Sequence, residues 1–261
     1  MRVVAVIPAR MAATRFPGKP LADIHGLPMI AHCYLRTKLA QSIDEVVIAT
    51  CDSEIADVAN QFGATVVMTS PDHLNAVDRT VETIAILQST SSLPIDIVIL
   101  VQGDEPLLNP EVLDQMVTTM VDNPSVDVVN VMVPFISQDD YLDHNNPKVV
   151  VDSDGNALYI SREAIPSSWR NWNSSLSHMQ TGLFAFRPAE LQWFGSTPRT
   201  PLEEVESIDM LRLLYHGRHL RMLAVSEPSI GVDTPEDLHR AGELIANDTL
   251  FQQYRKPLNG S

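Results

Sequence analysis

Three cations stand within ten residues at Arg10, Arg15 and Lys19, inside the run Pro8-Ala9-Arg10-Met11-Ala12-Ala13-Thr14-Arg15-Phe16-Pro17-Gly18-Lys19-Pro20. The chain around them is acidic, with a formal net charge of -15. Residues 1–40 reverse that sign: Arg2, Arg10, Arg15, Lys19, Arg36 and Lys38 face one acid, Asp23, a local charge of +5. A cationic loop on an acidic protein suits a polyanionic ligand rather than a broad polyanion surface. Gly18 permits close backbone approach, and Pro8, Pro17 and Pro20 restrict the loop. The run is neither G-x-G-x-x-G nor G-x-x-x-x-G-K-[ST], which disfavours dinucleotide oxidoreductases and P-loop NTPases. The bland alternative is a solvated surface loop.

Two acidic motifs complete the constellation. Val101-Gln102-Gly103-Asp104-Glu105-Pro106 ends a long apolar run, and a carboxylate there can hold Mg²⁺ together with phosphate oxygens. Gly231-Val232-Asp233-Thr234-Pro235-Glu236-Asp237 offers Asp233 as a second carboxylate just before a helix start. Each has a plainer reading, a turn-forming acid after a strand and an acid favoured by a helix dipole. No Ser/His or Cys/His arrangement suggests a covalent nucleophile. A glycosyltransferase would want a D-x-D metal motif, and Gln102-Gly103-Asp104 is not one.

The elements that must position these residues are legible from periodicity. Val3–Ile7, Glu45–Thr50, Ala64–Met68 and Ile95–Gln102 read as buried strands, and Met29–Leu39, Ser53–Phe62 and Arg79–Leu87 as helices between them. Strand-helix alternation predicts right-handed βαβ units on a mostly parallel sheet, with both faces covered. In such sheets ligands bind at the carboxyl ends of the strands, which brings Arg10, Lys19 and Asp104 to one edge. The pattern changes near residue 125. Asp127–Phe135, Lys148–Asp152, Ala157–Ser161 and Thr181–Phe186 read as strands with little helix, and Asp152–Asn156 as a hairpin turn. The polar stretch Ser167–Ser177 reads as a mobile loop, Pro201–His216 as one helix and Leu220–Val225 as a last strand. Thr234 reads as the N-cap of a closing helix. The expected organisation is an α/β core at 1–125 and 218–246, a second lobe at 126–217 and a loosely ordered tail at 247–261.

The 261 residues are 44% hydrophobic, and no apolar stretch approaches a membrane span. Cys33 and Cys51 form no C-x-x-C and read as reduced thiols, and a cytoplasmic location is expected. The acidic balance argues against sequence-independent nucleic-acid binding.

These motifs, in this order, resemble the CMP-sugar synthetases, specifically the 3-deoxy-manno-octulosonate (Kdo) cytidylyltransferase family. The resemblance covers residues 1 to about 245 through IPARMAATRFPGKPL, VQGDEP, KVVVDSDGNALYISREAIP, TGLFAFR and GVDTPEDL. It implies a Rossmann-like, glycosyltransferase-A-like sheet with a smaller β-rich dimerisation lobe, working as a homodimer on CTP with Mg²⁺. By resemblance, Arg10, Arg15 and Lys19 hold the triphosphate, and Asp104 and Asp233 hold the metal. Pro8, Ala9, Asn75, Arg79 and Gln102 complete the nucleotide contacts, with the stretch Asp72–Arg79 reading cytosine and ribose. Gln102, Arg162, Gln180, Phe184, Asp209 and Met210 match the acceptor-facing positions.

The acceptor side departs from the family, which has His at Gln180, Tyr at Phe184, Glu at Asp209 and Gln at Met210. Each change removes or shortens a polar group, and sites that pair hydroxyls discriminate strongly. The family's Ser-Gly-Thr is here Asn75-Ala76-Val77. The sequence therefore predicts CMP transfer from CTP to an anionic acceptor, Kdo or a related 2-keto acid sugar. A small phosphonate such as phosphonoformate is the alternative acceptor, and a non-catalytic nucleotide-binding relative is the rival of another class.

Overall fold

The computed structural model of the protein describes residues 1–12, 16–73, 75–226 and 230–255. The chain divides into two units, Met1–Asp114 with Ser229–Ser261, and Gln115–Pro228.

The first unit opens with strand β1 (Val3–Ala9), the short strands β2 (Asp23–Ile24) and β3 (Leu27–Pro28), and helix α1 (Met29–Thr37). It continues through β4 (Glu45–Thr50), α2 (Ser53–Gln61), β5 (Thr65–Met68), α3 (Ala76–Thr90) and β6 (Ile97–Leu100). β1 pairs in parallel with β4 and β6, and β4 with β5, in the order β6-β1-β4-β5. Val3 to Ile7 and Ile97 to Leu100 are fully buried, as continuous β-branched runs covered on both faces should be. Since β1 and β6 are parallel neighbours, the loops that leave them start at one edge of the sheet. Gly103 closes that edge: a Cβ built on it would lie 2.8 Å from the Pro8 carbonyl oxygen. No other residue type permits so close an approach without moving the backbone.

Helix α4 (Pro110–Asp122) leads into the second unit. There β7 (Val128–Pro134), α5 (Gln138–Leu142), β8 (Lys148–Val151), β9 (Ala157–Ser161) and β10 (His178–Phe186) follow, then α6 (Pro188–Ser196), α7 (Pro201–Glu206), α8 (Leu211–Tyr215) and β11 (Arg221–Ala224). β10 runs antiparallel to β7 and β8, β8 and β9 form a hairpin, and β11 lies parallel to β7. The hairpin turn is the one expected: the Asp152 carboxylate accepts from the Asp154 and Asn156 amides, and Gly155 takes φ 81°.

Three expectations change. The single helix expected over Pro201–His216 is two, because Ser207 turns left-handed (φ 52°) at the end of α7. The carboxylate of Glu203 explains the break: it closes the capping box of Thr200 and binds Arg212 beyond the turn, at 2.9 Å from Nε. The division falls at 114/115 and 228/229 instead of 125/126 and 217/218, because β11 pairs with β7 and goes with the second unit. Third, the tail expected to be loose begins with ordered structure. After α9 (Pro235–Ala246), the turn α10 (Phe251–Tyr254) buries Phe251 and Tyr254 in one cluster with Ile24, Leu27, Met29 and Val232. Residues 256–261 lie outside the described part.

That cluster also fixes α10 on α1. The Tyr254 hydroxyl lies 3.0 Å from His32 Nδ1 and accepts from Arg36 Nε at 3.1 Å, and Arg36 pairs with Asp248. His32 Nε2 meets the Ile24 carbonyl at 2.9 Å. Burial first, and the nearby Arg36 charge, lower the His32 pKa to about 4.

Two outcomes are expected. The folded state refuses a proton at His32 that the unfolded chain accepts below its ordinary value of 6.5, so stability is full above that pH and lost as pH falls towards about 4. Urea titrations across that range should show a slope contribution approaching ~1.4 kcal/mol per pH unit that His32→Gln removes; equal slopes in both proteins would refute it. Gly103→Ala should lower unfolding free energy by ~1–3 kcal/mol through overpacking. Gly231→Ala, with no heavy atom of the described residues within 4 Å of its built Cβ, is the control expected to stay near wild type.

Candidate active site

The described ends of the loop after β1 are tied by hydrogen bonds. The Met11 amide donates to Asp52 Oδ2 at 2.8 Å, and the Gly18 amide returns to the Met11 carbonyl at 3.1 Å. Gly18, at φ 75°, caps a 3-10 turn, Lys19–Leu21, whose second residue is Pro20. This turn carries Lys19 inward. Its ammonium donates to Asp104 Oδ2 at 2.6 Å, to the Val232 carbonyl at 2.9 Å and to Asp233 Oδ1 at 3.0 Å. Burial by itself would lower the Lys19 pKa, but the Asp104 and Asp233 carboxylates outweigh it and hold the ammonium above its ordinary value. The lysine is therefore charged at any physiological pH.

Each acid reaches this point by a separate route. Asp104 follows β6, and its carbonyl accepts from the Val232 amide at 2.8 Å. Asp233 stands before α9, where the Asp237 carboxylate accepts from the Asp233 and Thr234 amides and completes a capping box with Thr234. The segments at 19, 104 and 233 are thus tied to one another directly.

Beside them opens a cavity of about 260 Å³. Pro8, Ala9, Arg10 and Lys19 line it from the first loop, Asn75 and Arg79 from the start of α3, and Gln102 and Asp104 from the loop after β6. Arg10 is exposed. Arg79 is buried and held by the Thr69 hydroxyl and the Ser70 carbonyl. Asn75 caps α3, its Oδ1 accepting from the Asp78 amide at 2.8 Å. Arg15 lies outside the described residues, as do its neighbours at 13 and 14.

The cavity wall also holds a residue that the sequence did not single out. His73 Nε2 lies 2.5 Å from Glu82 Oε2, and that oxygen also accepts from the Ser70 amide. Desolvation raises the Glu82 carboxyl, but the Ser70 amide and His73 together hold it below the usual carboxylate range. Nothing in the nine-residue spacing of His73 and Glu82 signals a pair.

The positions matched to acceptor contacts all lie in the second unit, except Gln102. Gln180 and Phe184 flank a register shift in β10, and buried Asn130 fixes it by donating to the Thr181 and Leu183 carbonyls. Both side chains are 8% exposed. Asp209 is half-buried in the turn between α7 and α8. Met210 is fully buried, so the contact expected of it meets a core side chain with no surface to offer. Arg162 spends its guanidinium on backbone carbonyls of Glu206, His144, Asn145 and Ser207.

Two carboxylates and a carbonyl that converge on one cation form an all-oxygen donor set, which suits a hard divalent cation that keeps waters and shares phosphate oxygens. Among the described residues no group of three His, Cys, Asp or Glu side chains forms a self-sufficient metal cage. A hard cation held here by protein alone would have two acids, which fits one that arrives with phosphate.

The chain is similar to known proteins over nearly all its length. The sequence model of a family described as cytidylyltransferase matches residues 4–222. The 3-deoxy-manno-octulosonate cytidylyltransferase of Geobacter sulfurreducens is 40% identical over 94% of this chain and 100% of its own. That of Syntrophotalea carbinolica is 41% identical over 92% of this chain and 97% of its own. A solved CMP:2-keto-3-deoxy-manno-octonic acid synthetase complexed with CTP superposes with a TM-score of 0.88 at 35% identity, covering 95% of this chain and 99% of that one. A 4-diphosphocytidyl-2C-methyl-D-erythritol synthase from Anaerococcus prevotii shares the fold alone, with a TM-score of 0.60 at 11% identity. Such agreement in sequence and backbone makes the chain a member of the cytidylyltransferase family, among the 3-deoxy-manno-octulosonate cytidylyltransferases, and a CTP-dependent nucleotidyltransferase.

Proposed function

We propose that the protein transfers CMP from CTP to 3-deoxy-manno-octulosonate and releases pyrophosphate. The observation that carries this reading is the convergence of Lys19, Asp104 and Asp233 beside the cavity, in a chain whose relatives bear that enzyme's name. An oxygen of the sugar acid bonds to the α-phosphorus as the bond to the bridging oxygen breaks. The hydroxyl proton passes to solvent and pyrophosphate departs. Catalysis of this kind is mostly positioning and charge stabilisation.

In this reading Arg10, Arg15 and Lys19 neutralise the triphosphate, and Lys19 meets charge that grows on the leaving group. Asn75, Arg79 and the backbone at Pro8 and Ala9 hold base and ribose. Asp104 and Asp233 are the residues that would hold Mg²⁺, which would supply Lewis-acid polarisation of the phosphate. By resemblance, the acceptor-facing positions are Gln102 in the first unit and Gln180, Phe184 and Asp209 in the second. Among the described residues no helix is long and apolar enough to cross a membrane. Cys33 and Cys51 are free, in keeping with a cytoplasmic enzyme.

A homodimer is part of the proposal. The second unit exposes Ile136, Leu158, Trp169, Leu176 and Val205, and Val205 is 85% exposed. Large apolar side chains on a surface mark contact regions when they gather.

Pyrophosphate release decides the reaction. With CTP, Mg²⁺ and 3-deoxy-manno-octulosonate, release is expected and should stop on chelation with EDTA. Asp104→Ala should lower kcat at least ~100-fold, and should also lower the unfolding temperature because Lys19 loses its shortest ion pair; retained turnover would remove the metal role. Release with phosphonoformate but not the sugar acid would reassign the acceptor. Light scattering should give twice the 28.9 kDa chain mass, with Val205→Glu shifting it towards the monomer; a monomeric wild type would refute the dimer.

A further inference from the structure

The loop between β5 and α3 is stapled from one face of the helix. Arg79 and Glu82 stand three residues apart on α3, so their side chains reach the same side. Arg79 Nη1 donates to the Thr69 hydroxyl and the Ser70 carbonyl. Glu82 Oε2 accepts from the Ser70 amide at 2.8 Å and from His73 Nε2 at 2.5 Å. The Asp72 amide adds a local turn by donating to Ser70 Oγ at 3.1 Å. The imidazole of His73 therefore enters the cavity wall with its orientation set.

The pair works in one direction. Desolvation opposes the Glu82 carboxylate, but the Ser70 amide and His73 outweigh it and keep Glu82 ionised, a group that can only accept. His73 Nε2 then carries the hydrogen, and a neutral ring keeps a lone pair on Nδ1. Among the described residues nothing is bonded to that nitrogen. Its neighbours on the wall are donors. Asn75 spends Oδ1 on the Asp78 amide, which leaves its buried Nδ2 without a partner among the described residues, and Arg79 has no acceptor to offer. A phosphate brings acceptors alone and would set its oxygens against the Nδ1 lone pair. A nucleoside brings both kinds of group. The cavity is thus polarised, with its cations at Arg10 and Lys19 suited to the triphosphate and the wall at 73–79 suited to the nucleoside.

We infer that His73 binds the nucleoside through Nδ1 as a hydrogen-bond acceptor, for an exocyclic amine or a ribose hydroxyl, and that Glu82 is the positioning residue that selects the required tautomer. The inference deepens the proposed function at its nucleoside end and rests on CTP as the nucleotide of this cavity.

Calorimetric titration tests it, with Mg²⁺ and CTP, UTP, 2′-deoxy-CTP or 3′-deoxy-CTP and no sugar acid, at pH 8.5, where an ordinary imidazole is neutral. His73→Phe keeps a ring and removes both nitrogens. It should weaken CTP about tenfold, the loss of one hydrogen bond whose partner is left unpaired. The nucleotide that lacks the matched donor should lose nothing further: UTP if the donor is the exocyclic amine, one of the deoxynucleotides if it is a ribose hydroxyl. Glu82→Gln keeps an oxygen for the Ser70 amide but lets the ring carry its hydrogen on Nδ1. It should weaken the same nucleotides, and add nothing in the His73→Phe/Glu82→Gln double variant. Long-range ¹H–¹⁵N spectra of the wild type should show the Nε2–H tautomer, with the Nδ1 resonance moving when CTP binds.

Equal weakening of all four nucleotides, unchanged CTP affinity in His73→Phe, or a hydrogen on Nδ1 in the wild type would overturn the inference. Glu82→Gln without effect, or with additive losses in the double variant, would overturn the positioning role. A wild type that binds CTP but does not transfer CMP to the sugar acid refutes only the proposed acceptor, and the titrations still decide the role of His73. A wild type that binds no CTP refutes the nucleotide reading and this inference with it. Should His73→Phe fail to fold, the wild-type spectra and Glu82→Gln carry the decision.

Discussion

The ammonium of Lys19, held between Asp104 and Asp233, is the contact on which the rest of the nucleotide end depends. It joins three segments that are 85 and 214 residues apart along the chain, and it does so with a charge that burial would otherwise penalise. A charge in that position is tolerable because two carboxylates and a carbonyl take its three donors. The same bonds give the acids a fixed separation. Two carboxylates that face each other with no cation would repel and spread, so the lysine sets the geometry that a divalent cation and a triphosphate would need.

The fold supplies the other half of that constraint. Parallel pairing of β1 with β6 brings the two loops to a common edge, and the Gly103 backbone approaches Pro8 closely enough to leave no room for a side chain. Hydrophobic closure of α9 and α10 onto α1 brings Val232 into the buried cluster. Asp233 is delivered by the packing of Val232 together with the bond from its own amide to Asp237.

Much of this was legible in the sequence, and the limits have physical causes. β-branched runs with helical patterns between them identify parallel strands, and the edge rule then places Arg10, Lys19 and Asp104 together without coordinates. Asp233 was readable because Thr234, Pro235 and Asp237 announce a helix start. His73 with Glu82 was not, since a side-chain pair formed across a loop leaves no period. The break at Ser207 was hidden because the apolar spacing of 201–216 fits one helix, and only the tertiary bond from Glu203 to Arg212 selects two. The order at Phe251 and Tyr254 escaped because a four-residue turn carries no amphipathic signal, and its stability comes from His32, Arg36 and Asp248. Met210 is fully buried, and its burial is not readable from its place beside Asp209 in the sequence.

A local +5 in the first forty residues suggested a field, but charges act as a field only where they are not already neutralised. Arg2 pairs with Glu45 at 2.8 Å, Arg36 pairs with Asp248, and Lys19 has two acids. Near the site, among the described residues, Arg10 is exposed at the cavity wall and Lys19 lines the same cavity with its acids beside it. Arg162 in the second unit makes the same point, since the resemblance gives it to an anionic acceptor and its guanidinium bonds backbone carbonyls; Arg212 is likewise bound by Glu203 and the Phe194 carbonyl. Specificity for an anion in such a chain cannot come from the count of cations. It comes from which few of them the fold leaves without an internal partner, and from how rigidly the committed ones hold the groups beside the ligand.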